Sequence, residues 1–162
     1  MNKKKYLFLS HGAIIAALYV VLTLLANTLG LANAPVQIRF SEALTVLPVF
    51  TPAAVPGLFI GCLISNLLST ANIWDVVLGS FATLIGAVGT RLFRRHRLLS
   101  LAPPIAANTL IVPFVLVYAY GIEGTLPLFM LTVCAGEIIS AGILGYLLRN
   151  VLEKNGKSIK WE

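Results

Sequence analysis

Acidic residues are scarce in this chain. Six Asp and Glu stand against twelve Lys and Arg in 162 residues, and charged residues of both signs make up only 11%. With 58% hydrophobic residues and a mean hydropathy of +0.90, so little charge excludes an ordinary water-soluble domain, because one core of this size cannot hide that much apolar surface. Cysteine is nearly absent. Cys62 and Cys134 both fall inside apolar segments, which excludes a disulfide framework and leaves them as small packing residues. There is no Walker loop, no His-Glu-x-x-His, no Gly-x-Ser-x-Gly and no group of His or Cys at metal spacing, so neither catalysis nor a metal or other cofactor has support. Aromatics do not interleave with the cations, so the net charge of +6 fits anionic lipid headgroups better than nucleic acid. The halves also lack the inverted repeat and matched broken helices of an ordinary secondary transporter, so a chain this small reads as one part of a transport machine.

What is present is a series of apolar stretches with cations at their edges. A hydrocarbon layer of about 30 Å takes about 20 helical residues to cross. On that ruler the spacing predicts six crossings: Ser10 to Leu31; a short one from Val36 to the proline cluster Pro48, Pro52 and Pro56; Ala54 to Ser69; Ile73 to Phe93; Leu99 to Tyr120-Gly121; and Thr125 to Leu152. The prolines are expected to turn the chain, and Ser69-Thr70-Ala71-Asn72 to form an outer loop. Buried backbone amides must be satisfied within each segment, so the fold class is all-α: a polytopic membrane protein of six transmembrane helices. With a cytoplasmic start, eleven of the twelve cations fall on the cytoplasmic side: Lys3, Lys4, Lys5, Arg91, Arg94, Arg95, Arg97, Arg149, Lys154, Lys157 and Lys160. Arg39 is the exception. The expected organisation is a single domain over residues 1–162 in the cell membrane, with short cytoplasmic tails at both ends. Lys3 to Lys5, the following apolar run and Ala32-Asn33-Ala34 imitate a signal peptide, but Pro35 just after the cut and the spanning length favour a retained helix.

Polar groups inside a membrane are costly, about 2.5 to 3.5 kcal/mol for a charge at a helix centre, and each therefore marks a candidate site. Glu137 lies about 18 Å into the sixth crossing, near the midplane. Cys134, Ser140, Ala141 and Leu144 share its face, so its carboxylate is expected to look into the bundle beside a hollow. Arg39 and Glu42 sit three apart at the outer start of the second helix. They read either as a local ion pair, or an Arg39–Glu137 structural pair, or as a polar wall for a small solute. Asn108, Asn66, Trp74 and Asp75 add amide, carboxylate and aromatic surface; their plainer roles are interhelical glue for the two Asn, interfacial anchor for Trp74 and helix cap for Asp75. Gly12, Ala13, Ala16 and Ala17 form a small-residue stripe on the first helix, suited to helix docking or to internal packing. Gly57, Gly61, Ser65 and Ser69 form another on the third, assigned to internal packing, and His11 reads as interfacial.

The run Val36-Gln37-Ile38-Arg39-Phe40-Ser41-Glu42-Ala43-Leu44-Thr45-Val46-Leu47-Pro48, continuing from Phe50-Thr51-Pro52 to Gly61-Cys62, resembles the signature of the QueT family of queuosine-precursor transporters. Asp75 to Leu84, Ala107 to Pro113 and Gly136-Glu137 are similar to its later blocks. The resemblance implies a substrate-binding (S) component of an energy-coupling-factor (ECF) importer. Such a protein captures a micronutrient outside and works with a transmembrane T subunit and two cytoplasmic ATPases. It implies a 7-deazaguanine ligand bearing a cyano or aminomethyl group, and it makes the Ala13–Ala17 pair the T-subunit docking surface, with the usual longer alanine ladder interrupted by Val21. On that reading Glu137 accepts the paired donors of the guanine-like edge. Asn108 reads its carbonyl side, while Arg39, Glu42 and Trp74 close the outer mouth with the loop Leu31 to Pro35. The alternatives are an S component for another heterocyclic vitamin, a membrane scaffold whose polar groups only pair with one another, and a proton-coupled carrier relaying through Glu137.

Overall fold

A computed structural model of the chain describes residues 3–31, 36–69 and 72–155. Among them there is no strand. Six helices run in order: α1 (Lys3–Thr28), α2 (Phe40–Val49), α3 (Ala54–Ser69), α4 (Asp75–Leu92), α5 (Leu99–Ala119) and α6 (Leu126–Asn155). The helices α1, α4, α5 and α6 are long and apolar enough to cross a membrane; α2 and α3 are apolar but shorter. This is a multi-pass membrane protein. Residues 32–35, 70–71 and 156–162 lie outside the described residues, and with them the small-x-small site, most of the expected mouth loop, part of the outer loop, Lys157 and Lys160.

The second helix departs from the regular α-helix expected there. It is a 3₁₀ helix with Pro48 inside it. A 3₁₀ helix rises about 2.0 Å per residue, so its ten residues reach about 20 Å, and residues three apart eclipse one another. Glu42, Thr45 and Pro48 therefore share one buried row and Ser41, Leu44 and Leu47 another, which makes α2 an internal strut rather than a lipid-facing span. The chain then turns through Phe50, Thr51 and Pro52, as the proline cluster predicts. The Arg91 guanidinium donates to the last carbonyls of α2, Pro48 O at 3.0 Å and Val49 O at 3.3 Å, groups that no later amide reaches.

Packing of α1 on α3 rests on missing side chains. A Cβ at Gly57 would stand 2.7 Å from the Gly12 carbonyl oxygen, and one at Gly61 would stand 2.7 Å from Tyr19 Cβ and 2.9 Å from the Ala16 oxygen. The backbones thus approach as closely as small residues allow. Gly12 and Ala16 are used up in this contact, so the outward stripe is narrower than the sequence indicates: of the four, Ala13 and Ala17 are exposed. The long helices α4, α5 and α6 each contain a wide π turn, at Asp75–Gly79, Val115–Ala119 and Ile138–Leu144.

Candidate functional site

The π turn of α6 begins directly after Glu137. Sampled every four residues, a regular helix of 3.6 residues per turn drifts sideways; the i→i+5 bonding of a π turn winds more slowly and offsets that drift. Glu137, Ala141, Gly145 and Arg149 are accordingly all buried along one line. The Glu137 carboxylate points into the bundle, 7% exposed. Its Oε1 accepts a hydrogen bond from Asn108 Nδ2 at 3.0 Å, and the same amide nitrogen lies 3.4 Å from Glu42 Oε2. Glu42 is completely enclosed, and its Oε1 accepts a hydrogen bond from the Tyr19 hydroxyl. Four helices, α1, α2, α5 and α6, thereby converge on two acids bridged by one amide.

Neighbouring hydroxyls brace this cluster. Thr23 Oγ1 lies 2.9 Å from the Tyr19 carbonyl and 2.8 Å from Ser41 Oγ, and Ser140 Oγ accepts from the Arg39 amide at 3.1 Å. One atom of the cluster is left over, as is Thr109 Oγ1 elsewhere in α5. Glu137 Oε2 is buried and, among the described residues, no donor reaches it. An unsatisfied buried acceptor costs about 1–3 kcal/mol, more when charged, so native proteins rarely keep one without a use.

Arg39 departs from the pairing expected of it. Its backbone is extended (φ −117°, ψ 108°), not helical, so the three-residue spacing to Glu42 does not place the two side chains together. Among the described residues the ion pairs are Arg97–Glu153 and Arg149–Glu153, and neither Glu42 nor Glu137 is paired with Arg39. Arg39 instead lines a cavity with Gln37, Asn108, Val112, Val133 and Glu137. That cavity is about 10 Å³, room for one water, whereas small-molecule pockets start at about 300 Å³. The hollow expected beside Glu137 is therefore shut in this conformation. The segment before α2 shuts it: a Cβ at Gly136 would come 2.1 Å from the Gln37 carbonyl oxygen, so this segment lies directly against α6.

Asn66, Trp74 and Asp75 stand apart from the two acids. Asn66 Nδ2 donates to the Asp75 carbonyl at 3.3 Å, and Tyr120 donates to Asp75 Oδ2 at 3.1 Å, forming a separate knot between α3, α4 and the end of α5. Trp74 is 59% exposed on the outside of the bundle, the position of an interfacial anchor rather than of a mouth residue. Tyr19 is the cluster member that sequence reasoning passed over. A tyrosine amid an apolar span far from either interface was the available signal, since a buried phenol hydroxyl needs a partner.

With this geometry in view, comparison with known proteins gives a consistent result. The family model described as QueT transporter matches residues 9–154. The chain belongs to the QueT transporter family. That is a family of transporters and not of enzymes. A relative from Lactococcus lactis subsp. cremoris (strain MG1363), named queuosine precursor transporter QueT, is 37% identical over 98 residues, which is 60% of this chain and 57% of that protein. The chain thus matches a little over half the length of that relative. No solved structure matches.

Proposed function

We propose that this QueT family member is the substrate-binding component of an ATP-driven ECF importer, and that it takes up a queuosine precursor, a 7-deazaguanine base with a cyano or aminomethyl group. The observation that carries the reading is Glu137 Oε2, a buried carboxylate oxygen with no donor among the described residues, beside a second acid held by Tyr19 and Asn108. A guanine-like edge carries adjacent N–H donors, and a carboxylate that accepts both forms the stronger, charge-assisted kind of hydrogen bond. Glu137 takes that edge, Asn108 the neighbouring carbonyl, and Arg39 with Gln37 the outer wall, which swings away from α6 to admit the base. A scaffold whose polar groups only pair with one another leaves that oxygen unexplained. Six crossings in one domain, with both tails in the cytoplasm of a cell-membrane protein, complete the reading; Ala13 and Ala17 supply the face for the T subunit.

Uptake tests the assembly. In cells expressing this chain with a T subunit and the two ATPases, labelled 7-deazaguanine base should accumulate, and the four proteins should copurify. Uptake that continues when the ATPases carry inactive Walker lysines refutes the ECF assignment and favours a carrier relaying protons through Glu137.

A further inference from the structure

A groove of about 410 Å³ runs between α5 and α6, away from the buried acids. Its walls are almost wholly apolar, formed by Leu98, Leu101, Ile105, Ile138, Ile143 and Leu147. Gly142 makes it deep: a Cβ there would meet Ile105 Cδ1 at 3.6 Å and Ile138 Cγ2 at 3.9 Å, ordinary contacts, so a larger side chain at 142 would fill the groove without forcing the helices apart. Leu98 and Leu147, 73% and 54% exposed, open it outward.

The segment that supplies Leu98 to the groove is basic. Arg149, itself buried, donates to Ser100 Oγ at 2.7 Å, to Arg97 O at 3.2 Å and to Arg94 O at 3.4 Å. These bonds tie the segment from Arg94 to Leu98 down onto α6, one turn beyond the groove residue Tyr146. The side chains of Arg94 and Arg95 are exposed on that segment, Arg97 is paired with Glu153, and Leu98 next in the chain lines the groove. A slot for hydrocarbon beside a basic segment whose Arg94 and Arg95 side chains are exposed matches one kind of molecule in both of its parts.

We propose that this groove holds an anionic phospholipid, one acyl chain between α5 and α6 and the phosphate against Arg94 and Arg95. Guanidinium forks bind phosphate oxygens in pairs, and a neutral headgroup gains less from them. The inference is independent of what the buried acids bind.

Native mass spectrometry of the full chain, released from nanodiscs of equal phosphatidylglycerol and phosphatidylcholine, tests it. The wild type should retain one phosphatidylglycerol in preference to phosphatidylcholine. Arg94→Gln/Arg95→Gln, which alters only exposed side chains, should lower that preference about tenfold, and Gly142→Leu should remove retention of either lipid. Equal retention of the two lipids by the wild type overturns the proposal, as does lipid-free protein. A loss of the same size in Lys3→Gln/Lys4→Gln/Lys5→Gln also overturns it, since total charge and not this groove would then set the preference. Unchanged retention in Gly142→Leu removes the groove from the account.

Discussion

Glu42 and Glu137 stand on either side of one amide, and each carboxylate tells a different story. Glu42 is spoken for on both oxygens, by Tyr19 and by Asn108, whereas Glu137 has an oxygen to spare. Replacing Tyr19 by Phe takes away the hydroxyl and strands Glu42 Oε1 without a donor. The expected cost is about 1–3 kcal/mol, seen as a melting midpoint several degrees lower in detergent, and an unchanged midpoint would contradict the hydrogen bond. Glu137 was legible in the sequence because an acid near the middle of an apolar span stands out. Its partnership with Glu42 was not, because the pairing depends on where a helix 95 residues away is placed. The Arg39–Glu42 pairing failed as an expectation for a local reason: the three-residue rule holds only inside a helix, and Arg39 lies just before one.

Helix positions were readable from hydropathy and proline, but the kind of helix was not. A 3₁₀ segment and three π turns leave no trace in apolar content, because they arise from tertiary packing against neighbours. Glycines separate the tight contacts from the loose ones. In Gly61→Ala the new methyl meets Tyr19 Cβ and the Ala16 carbonyl, so α1 and α3 must part and Tyr19 must shift; a destabilisation of about 1–3 kcal/mol is expected, with weakened ligand binding. Gly142→Ala meets only ordinary contacts, so the gain in helix propensity should leave stability equal or slightly higher. Thermal melts of the two variants side by side check the contrast, and equal losses would refute it. Arg149 fastens the loop before α5 to α6 through Ser100, Arg97 and Arg94. Arg149→Met keeps the stem and loses those bonds, so protease cleavage after Arg94 or Arg95 should speed up several-fold; an unchanged rate would show that the clasp does not hold that loop.

Charge is sorted along the whole bundle. Arg91 reaches the end of α2, Gly12 packs beside the turn that follows it, and Arg149 holds Arg94 and Arg97, so the basic start of α1, the α4–α5 connection and the end of α6 gather at one end. The sequence led to the expectation of eleven cations on one side of a six-crossing plan, of which Lys157 and Lys160 lie outside the described residues. On the proposed orientation, which follows the positive-inside rule, that end is cytoplasmic. Reporter fusions should therefore give fluorescent green fluorescent protein and inactive alkaline phosphatase at both termini, and active phosphatase at either end would contradict the orientation. What composition could not convey is that the centre is closed: the cavity beside Glu137 has room for about one water, and the segment from Gln37 to Arg39 lies against it.

Calorimetric titration of 7-aminomethyl- and 7-cyano-7-deazaguanine into the purified chain and its Glu137→Gln variant tests the central claim most directly. The account predicts saturable binding of at least one base by the wild type, weakened about 10- to 150-fold in the variant, the range set by losing a hydrogen bond to a charged group worth about 1.5–3 kcal/mol. Equal affinity in the two proteins, or no binding of either base by the folded wild type, would contradict it.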